Sequence, residues 1–133
     1  MSTKAVADKL LIKPGTTVWS SDPARLELVG PLPDGVRSVD ALGEADAALV
    51  FADDAASLRA ILGGHAGELA EPRAFWVAYP KGNRSDLNRD RLWPILAEHG
   101  MRPISQVAVD EVWSALRFRA LEEGEPPFTG GAG

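Results

Sequence analysis

The side chains best suited to chemistry gather in residues 81–90, which read KGNRSDLNRD. Lys81, Arg84 and Arg89 carry positive charge, Asp86 and Asp90 negative charge, and Ser85 and Asn88 offer hydrogen bonds. The stretch follows an apolar, aromatic run (Phe75-Trp76-Val77-Ala78-Tyr79) that breaks at Pro80, and it leads into a helical pattern. Such a loop lies where α/β sheets bind ligands, beyond the carboxyl end of a strand. Lys81 and Arg84 would supply charge to an anionic or polar ligand, the helix start near Ser85 would supply free N–H groups, and Gly82 would let the chain turn closely around it. The plainer alternative is that Ser85 or Asp90 caps the helix while the cations stay solvated or pair with Asp86 and Asp90. Surface pairs of that kind contribute only about 0–1 kcal/mol. The sequence holds no phosphate-loop pattern to decide between the two.

Other reactive types are thinly spread. Ser20 and Ser21 end a predicted strand but sit in no Gly-x-Ser-x-Gly elbow, and neither His65 nor His99 falls where their base would be needed. Asp53 and Asp54 end another strand; together they could bind a cation, although helix capping accounts for at least one of them. Asp110, Trp113 and Arg117 flank a predicted hairpin turn. Trp113 and Arg117 are the candidates for a partner or dimer contact, since both types are enriched at interface hot spots. The competing reading packs Trp113 between a helix and the sheet. With no cysteine and two histidines, thiolate zinc sites, cysteine nucleophiles and multi-histidine metal sites are excluded. Each histidine is expected on a helix surface near its C-terminal end.

The chain has 133 residues, 45% of them hydrophobic and 25% charged, in keeping with one soluble domain that buries its own core. A net charge of −5 argues against nucleic-acid binding, which requires clustered cations. No apolar run reaches membrane-spanning length, and no signal-peptide core is visible, so a cytoplasmic protein is expected.

The elements that must position these residues alternate. A short helix with Val6 and Leu10 on one face precedes the turn Lys13-Pro14-Gly15 and a strand over 16–20. Asp22-Pro23 reads as a helix start, with Gly30 as its left-handed end. A second strand is predicted over 36–39. The unbroken apolar run 47–52 suits a strand buried on both faces, and a helix with Leu58, Ile61 and Leu62 follows it. After the strand 74–79, a helix is expected from about 85 to 99, starting late or kinked because of Pro94, with Gly100 as its C-cap. Residues 104–109 and 112–119 form a hairpin. In its second strand Val112, Ser114, Leu116 and Phe118 share one face, and Trp113, Ala115, Arg117 and Arg119 the other. Trp19 and Trp76 lie on predicted central strands and are expected in the core. From Glu122 onward the composition predicts a disordered tail after a single domain over 1–121. The pattern specifies a three-layer Rossmann-like α/β sandwich, mostly parallel with a C-terminal antiparallel hairpin.

Several segments resemble class I S-adenosylmethionine-dependent methyltransferases. Leu11-Ile12-Lys13-Pro14-Gly15-Thr16-Thr17-Val18 is similar to the approach to their first strand, 47–52 to their fourth and 71–77 to their fifth. Gly100-Met101-Arg102-Pro103 and the hairpin resemble their sixth and seventh, with one βα unit missing. Asp40 matches the acidic residue that often binds the cofactor ribose, though Asp is also common in turns. The glycine-rich loop of those enzymes is replaced by Trp19-Ser20-Ser21-Asp22-Pro23-Ala24-Arg25-Leu26, which has no glycine. A nearer resemblance is to the DUF3052 family of uncharacterised small bacterial proteins. It is carried by residues 76–82, by 86–90 with Leu92-Trp93, and by 107–110 with 113–118, and it implies a fold but no activity. The resulting expectation is a non-catalytic binding or regulatory protein with no cofactor. Its partner would be another protein, a second copy, or a small polar or anionic ligand at Asp40 and the 81–90 loop. The alternative is a small methyltransferase-like enzyme with a reduced active site at the carboxyl ends of the strands.

Overall fold

The computed structural model describes residues 6–30, 32–82 and 85–126. Its elements are α1 (Val6–Lys9), β1 (Thr17–Ser20), β2 (Arg37–Ser38), β3 (Ala47–Phe51), α2 (Ala55–Gly64), β4 (Ala74–Pro80), α3 (Arg89–Ala97), β5 (Met101–Ala108) and β6 (Trp113–Ala120), with 3-10 turns over Pro23–Val29 and Leu42–Glu44. Six strands form one sheet in the order β2-β1-β3-β4-β6-β5. The first four are parallel, and β6 runs antiparallel to both β4 and β5.

The two apolar runs explain the layering. Every residue of β3 is buried, as are the first six of β4. Because side chains alternate, each strand feeds two cores. Ala48, Val50, Phe75, Val77 and Tyr79 pack with Leu58 and Leu62 of α2 and Leu92, Ile95 and Leu96 of α3. Ala47, Leu49, Phe51, Trp76 and Ala78 face the other way, toward Ala7, Leu10, Ile12 and Val29. This is the three-layer α/β arrangement expected from the alternation.

The second layer is tied down by one buried polar contact. Trp76 is 1% exposed and its indole Nε1 donates to the Leu10 carbonyl at 2.9 Å. That carbonyl belongs to the end of α1, where Leu11 adopts φ 65°, a left-handed conformation rare for a residue without glycine's freedom. Leu11 N–H donates to Asp8 O and Ile12 N–H to Ala7 O, the paired bonds of a Schellman cap. The conformation lets Leu10 and Ile12, both fully buried, enter the core on either side of the turn.

Several local expectations change. Gly30 is extended (φ −75°) and not left-handed, because the segment before it is a 3-10 turn, and Asp22 makes no side-chain cap there. The second strand shrinks to two residues at the sheet edge. The helix expected from about residue 85 begins at Arg89, since Asn88 is the N-cap and its side chain accepts from Arg91 N–H. Gly100, just past α3, does take a positive φ of 73°. Both histidines follow helix ends as expected: His65 caps α2 and packs edge-on against Trp19 at 4.8 Å. Ser2 and Thr3, either of which could cap the first helix by residue type, lie outside the described residues, as does the tail from residue 127. Residues 122–126, for which disorder was expected, are described, and Glu125 is anchored: its carboxylate takes Arg102 at 2.7 Å and Arg119 at 2.8 Å and accepts from Glu122 N–H.

Candidate functional site

The sheet order reverses at β1, which has β2 on one side and β3 on the other. A ligand crevice belongs beyond the carboxyl ends of β1 and β3 at such a switch point. Here the chain's own side chains span it. Arg25, from the 3-10 turn after β1, reaches Asp22 (Nε–Oδ2, 3.2 Å) and crosses to Asp53 beyond β3 (3.0 Å). Its guanidinium lies 4.9 Å from the centre of the Trp113 ring, which in turn meets Phe51 edge-on at 5.8 Å. Both serine hydroxyls hold backbone groups. Ser20 Oγ donates to Asp22 O at 2.8 Å, and Ser21 Oγ accepts from Phe51 N–H at 2.8 Å. Asp54 caps α2 by accepting from Ser57 N–H, so the adjacent carboxylates Asp53 and Asp54 serve an ion pair and a helix cap. Among the described residues no group of three His, Asp or Glu side chains could hold a metal.

A second concavity opens at the end of β4. It is a groove of about 540 Å³ lined by Tyr79, Lys81, Gly82, Asn88, Gln106, Ala108 and Ser114. β6 runs antiparallel beside β4, so its first residues stand against the last of β4, and Ser114 is in register with Tyr79. Gln106 lies across the hairpin. Its side-chain amide donates to Tyr79 Oη and to Ser114 Oγ, each at 3.0 Å. Tyr79 and Ser114 are 5% and 4% exposed, so the hydroxyls of both form a largely buried polar floor to the groove. Lys81 stands at the rim, with Nζ on the Asp110 carbonyl at 2.6 Å and its N–H on Val112 O. Gly82 turns there with φ 67°.

The structure therefore brings together only part of the predicted set. Lys81, Gly82 and Asn88 line the groove. Asp86 points elsewhere and accepts from Ala55 N–H at the start of α2, and Ser85 accepts from Leu87 N–H. The pairing of Lys81 with Asp86 considered above does not form. Arg84 lies outside the described residues, and Arg89 contributes the first turn of α3. Asp40 is exposed at the far side of the sheet beyond β2, three strand positions from β4, or about 14 Å at the usual spacing. Asp110 and Arg117 do not pair across the hairpin. Asp110 accepts from Val112 and Trp113 N–H, an Asx-type turn, while Arg117 reaches the Arg73 carbonyl. Trp113 is half-buried against Phe51 and Arg25, within its own chain. Arg25, Tyr79, Gln106 and Ser114 were not singled out from the sequence. Ser114 had a signal, a polar residue in register with Leu116 and Phe118 on an apolar face.

One carboxylate is electrostatically distinct. Hydrogen bonds from Arg119, Glu122 N–H and Arg102 hold Glu125 well below the usual carboxylate range, and the same contact raises Arg119. Arg102 and Arg119 are direct cross-strand neighbours, a like-charge pair that would repel without Glu125 between them.

No family model matches the chain, and no curated protein matches it. Solved structures do resemble it. A protein in the NADB-Rossmann superfamily from Streptococcus agalactiae has a TM-score of 0.58, with 98% of this chain and 72% of that chain covered at 13% identity. A candidate tRNA (m1A22) methyltransferase from Streptococcus pneumoniae, in complex with S-adenosyl-L-methionine, gives 0.54, with 93% and 72% covered at 16% identity. The M1A22 tRNA methyltransferase TrmK of B. subtilis gives 0.52, with 90% and 67% covered at 15% identity. The likeness is one of fold: the chain has a mixed α/β sheet of Rossmann type, in the form found in methyltransferases.

Proposed function

We propose that this chain is a methyltransferase-like Rossmann domain serving as a non-catalytic binding or regulatory protein of the bacterial cytoplasm, and that it belongs with the DUF3052 proteins its segments resemble. The observation that carries the functional reading is Arg25, which pairs with Asp22 and crosses the switch-point crevice to Asp53. A fit to S-adenosylmethionine fails on two counts. The loop 19–26 has side chains where a methyltransferase needs glycine to bring backbone close to the cofactor, and Pro23 removes an N–H donor. The Arg25–Asp53 ion pair also crosses the crevice beyond β1 and β3, where a ligand site of this fold is expected. The tRNA substrates of the structural neighbours are not carried over, because a net charge of −5 opposes a phosphate backbone.

Titration calorimetry of the purified chain with S-adenosylmethionine, and separately with its demethylated product, is the direct test. The expected result is no saturable heat with either. A saturating isotherm with either ligand would overturn the reading and return the chain to the enzymes.

A further inference from the structure

Two cations stand at the carboxyl ends of the strands, and they differ in how their charge is met. Arg25 is met by two carboxylates. Lys81 is met by a neutral backbone carbonyl, and among the described residues no carboxylate lies within ion-pair distance of it. The acid nearest in sequence to that contact, Asp110, turns its carboxylate back onto the hairpin N–H groups of Val112 and Trp113. Among the described residues that line the groove beneath Lys81, none is acidic. A full positive charge therefore faces a concavity whose other polar lining groups, among the described residues, are neutral, in a protein that is negative overall.

The floor adds direction. Gln106 donates through Nε2 to both Tyr79 and Ser114, so the Tyr79 hydroxyl proton is not used within this network, and the Gln106 carbonyl oxygen accepts nothing among the described residues. Asn88 uses its oxygen to cap α3, and its amide protons meet no acceptor among the described residues. At about 540 Å³ the groove falls within the size range of small-molecule sites, and most of its lining residues are polar, which suits a polar ligand.

We propose that the groove between Lys81 and the Tyr79–Gln106–Ser114 floor binds a small monocarboxylate, its carboxylate on Lys81 and its hydrogen-bonding body over the floor. The assignment rests on reading this chain as a binding domain, and it names the ligand class. Among the described residues that line the groove Lys81 is the one cation, which matches one negative charge; a phosphate dianion would leave a charge unmet by them.

The test is a ligand-observed NMR and calorimetry series on the full chain. The probes are benzoate, 4-hydroxybenzoate and simple 2-hydroxy and 2-oxo carboxylates, each beside its uncharged amide, with inorganic phosphate as a separate arm. Carboxylates are expected to bind saturably and their amides about tenfold or more weaker, the loss appropriate to a charge-assisted hydrogen bond. Lys81→Met should weaken carboxylate binding by the same factor. Gln106→Glu, at an exposed position that leaves the core intact, should abolish it by placing a like charge in the groove. The proposal is overturned if no carboxylate saturates, if the amides bind equally well, if neither variant changes the affinity, or if phosphate binds more tightly than every carboxylate. Failure of this series together with silence toward S-adenosylmethionine removes the carboxylate site and leaves the non-catalytic reading intact. An S-adenosylmethionine isotherm removes that reading whatever the carboxylates do.

Discussion

Replacing Arg25 with methionine keeps most of the aliphatic stem and deletes the charge that spans the switch point. Three contacts go with it: the ion pairs to Asp22 at 3.2 Å and Asp53 at 3.0 Å, and the stacking on Trp113 at 4.9 Å. The side chains involved are 30%, 44% and 59% exposed, so solvent screens both pairs. Each pair then contributes about 0–1 kcal/mol, and the cation–π contact about 0.5–1 kcal/mol. The sum is about 0.5–3 kcal/mol, which in a domain of this size lowers the melting temperature by roughly 2–11 °C. Equilibrium urea unfolding followed by far-UV circular dichroism measures it. A double-mutant cycle with Asp53→Asn isolates the crossing pair, with a coupling of about 0.2–1 kcal/mol expected in low salt. In 1 M salt, where the Debye length falls to about 3 Å, most of that coupling should vanish. A variant indistinguishable from wild type, with zero coupling in low salt, would mean that the guanidinium does not bridge the crevice in solution. The main support for a closed cofactor site would then be gone. Arg25→Met is not expected to gain S-adenosylmethionine binding, because Pro23 and the glycine-free loop remain.

Other consequences are as specific. Trp76→Phe removes the indole N–H from the buried Leu10 carbonyl and leaves space in a packed layer, and should cost about 2–4 kcal/mol in the same unfolding assay; a loss below about 0.5 kcal/mol would show that this bond does not tie the layer down. Asn88→Ala takes the acceptor from Arg91 N–H at the start of α3 and should destabilise by about 1 kcal/mol, whereas Asn88→Asp should restore most of it. Glu125 is held below the ordinary carboxylate range, so its contribution to stability is fully present above the unfolded-state value of about 4.3 and is lost as pH falls toward its folded value. Glu125→Gln should therefore flatten the acid limb of a stability-against-pH curve below about pH 4.3 and leave its shape near neutrality unaltered; identical acid limbs would refute the clamp.

The fold was largely legible because its signals are local and repeated. The apolar runs around Val50 and Val77 could only be strands covered on both faces, and Pro, Gly and Asp punctuation marked the turns between them. Alternation in residues 112–119 assigned Ser114, Leu116 and Phe118 to one core and Ala115 to the other, as the structure has them. The site was legible only in part. Lys81, Gly82 and Asn88 were identified because they share one loop, whereas Tyr79, Gln106 and Ser114 come from three strands that meet only when β6 inserts between β4 and β5.

By itself the sequence determined the alternation of elements, the two-faced burial of the central strands, the lack of cysteine chemistry and the absence of glycine after the first strand. These depend on residue type and near-neighbour spacing alone. Tertiary structure decided which charges are met and which are left. It sent Asp86 to the start of α2, Asp110 to its own turn, and Arg25 across the crevice to Asp53, which left Lys81 facing a groove with no acid among its described lining residues. It also imposed a left-handed turn on Leu11, because burying Leu10 and Ile12 and giving Trp76 its acceptor outweigh the roughly 1–2 kcal/mol that such a backbone costs. The physical reason is range. Periodicity and capping act over a few residues, but a charge is neutralised by whichever carboxylate the fold carries to it.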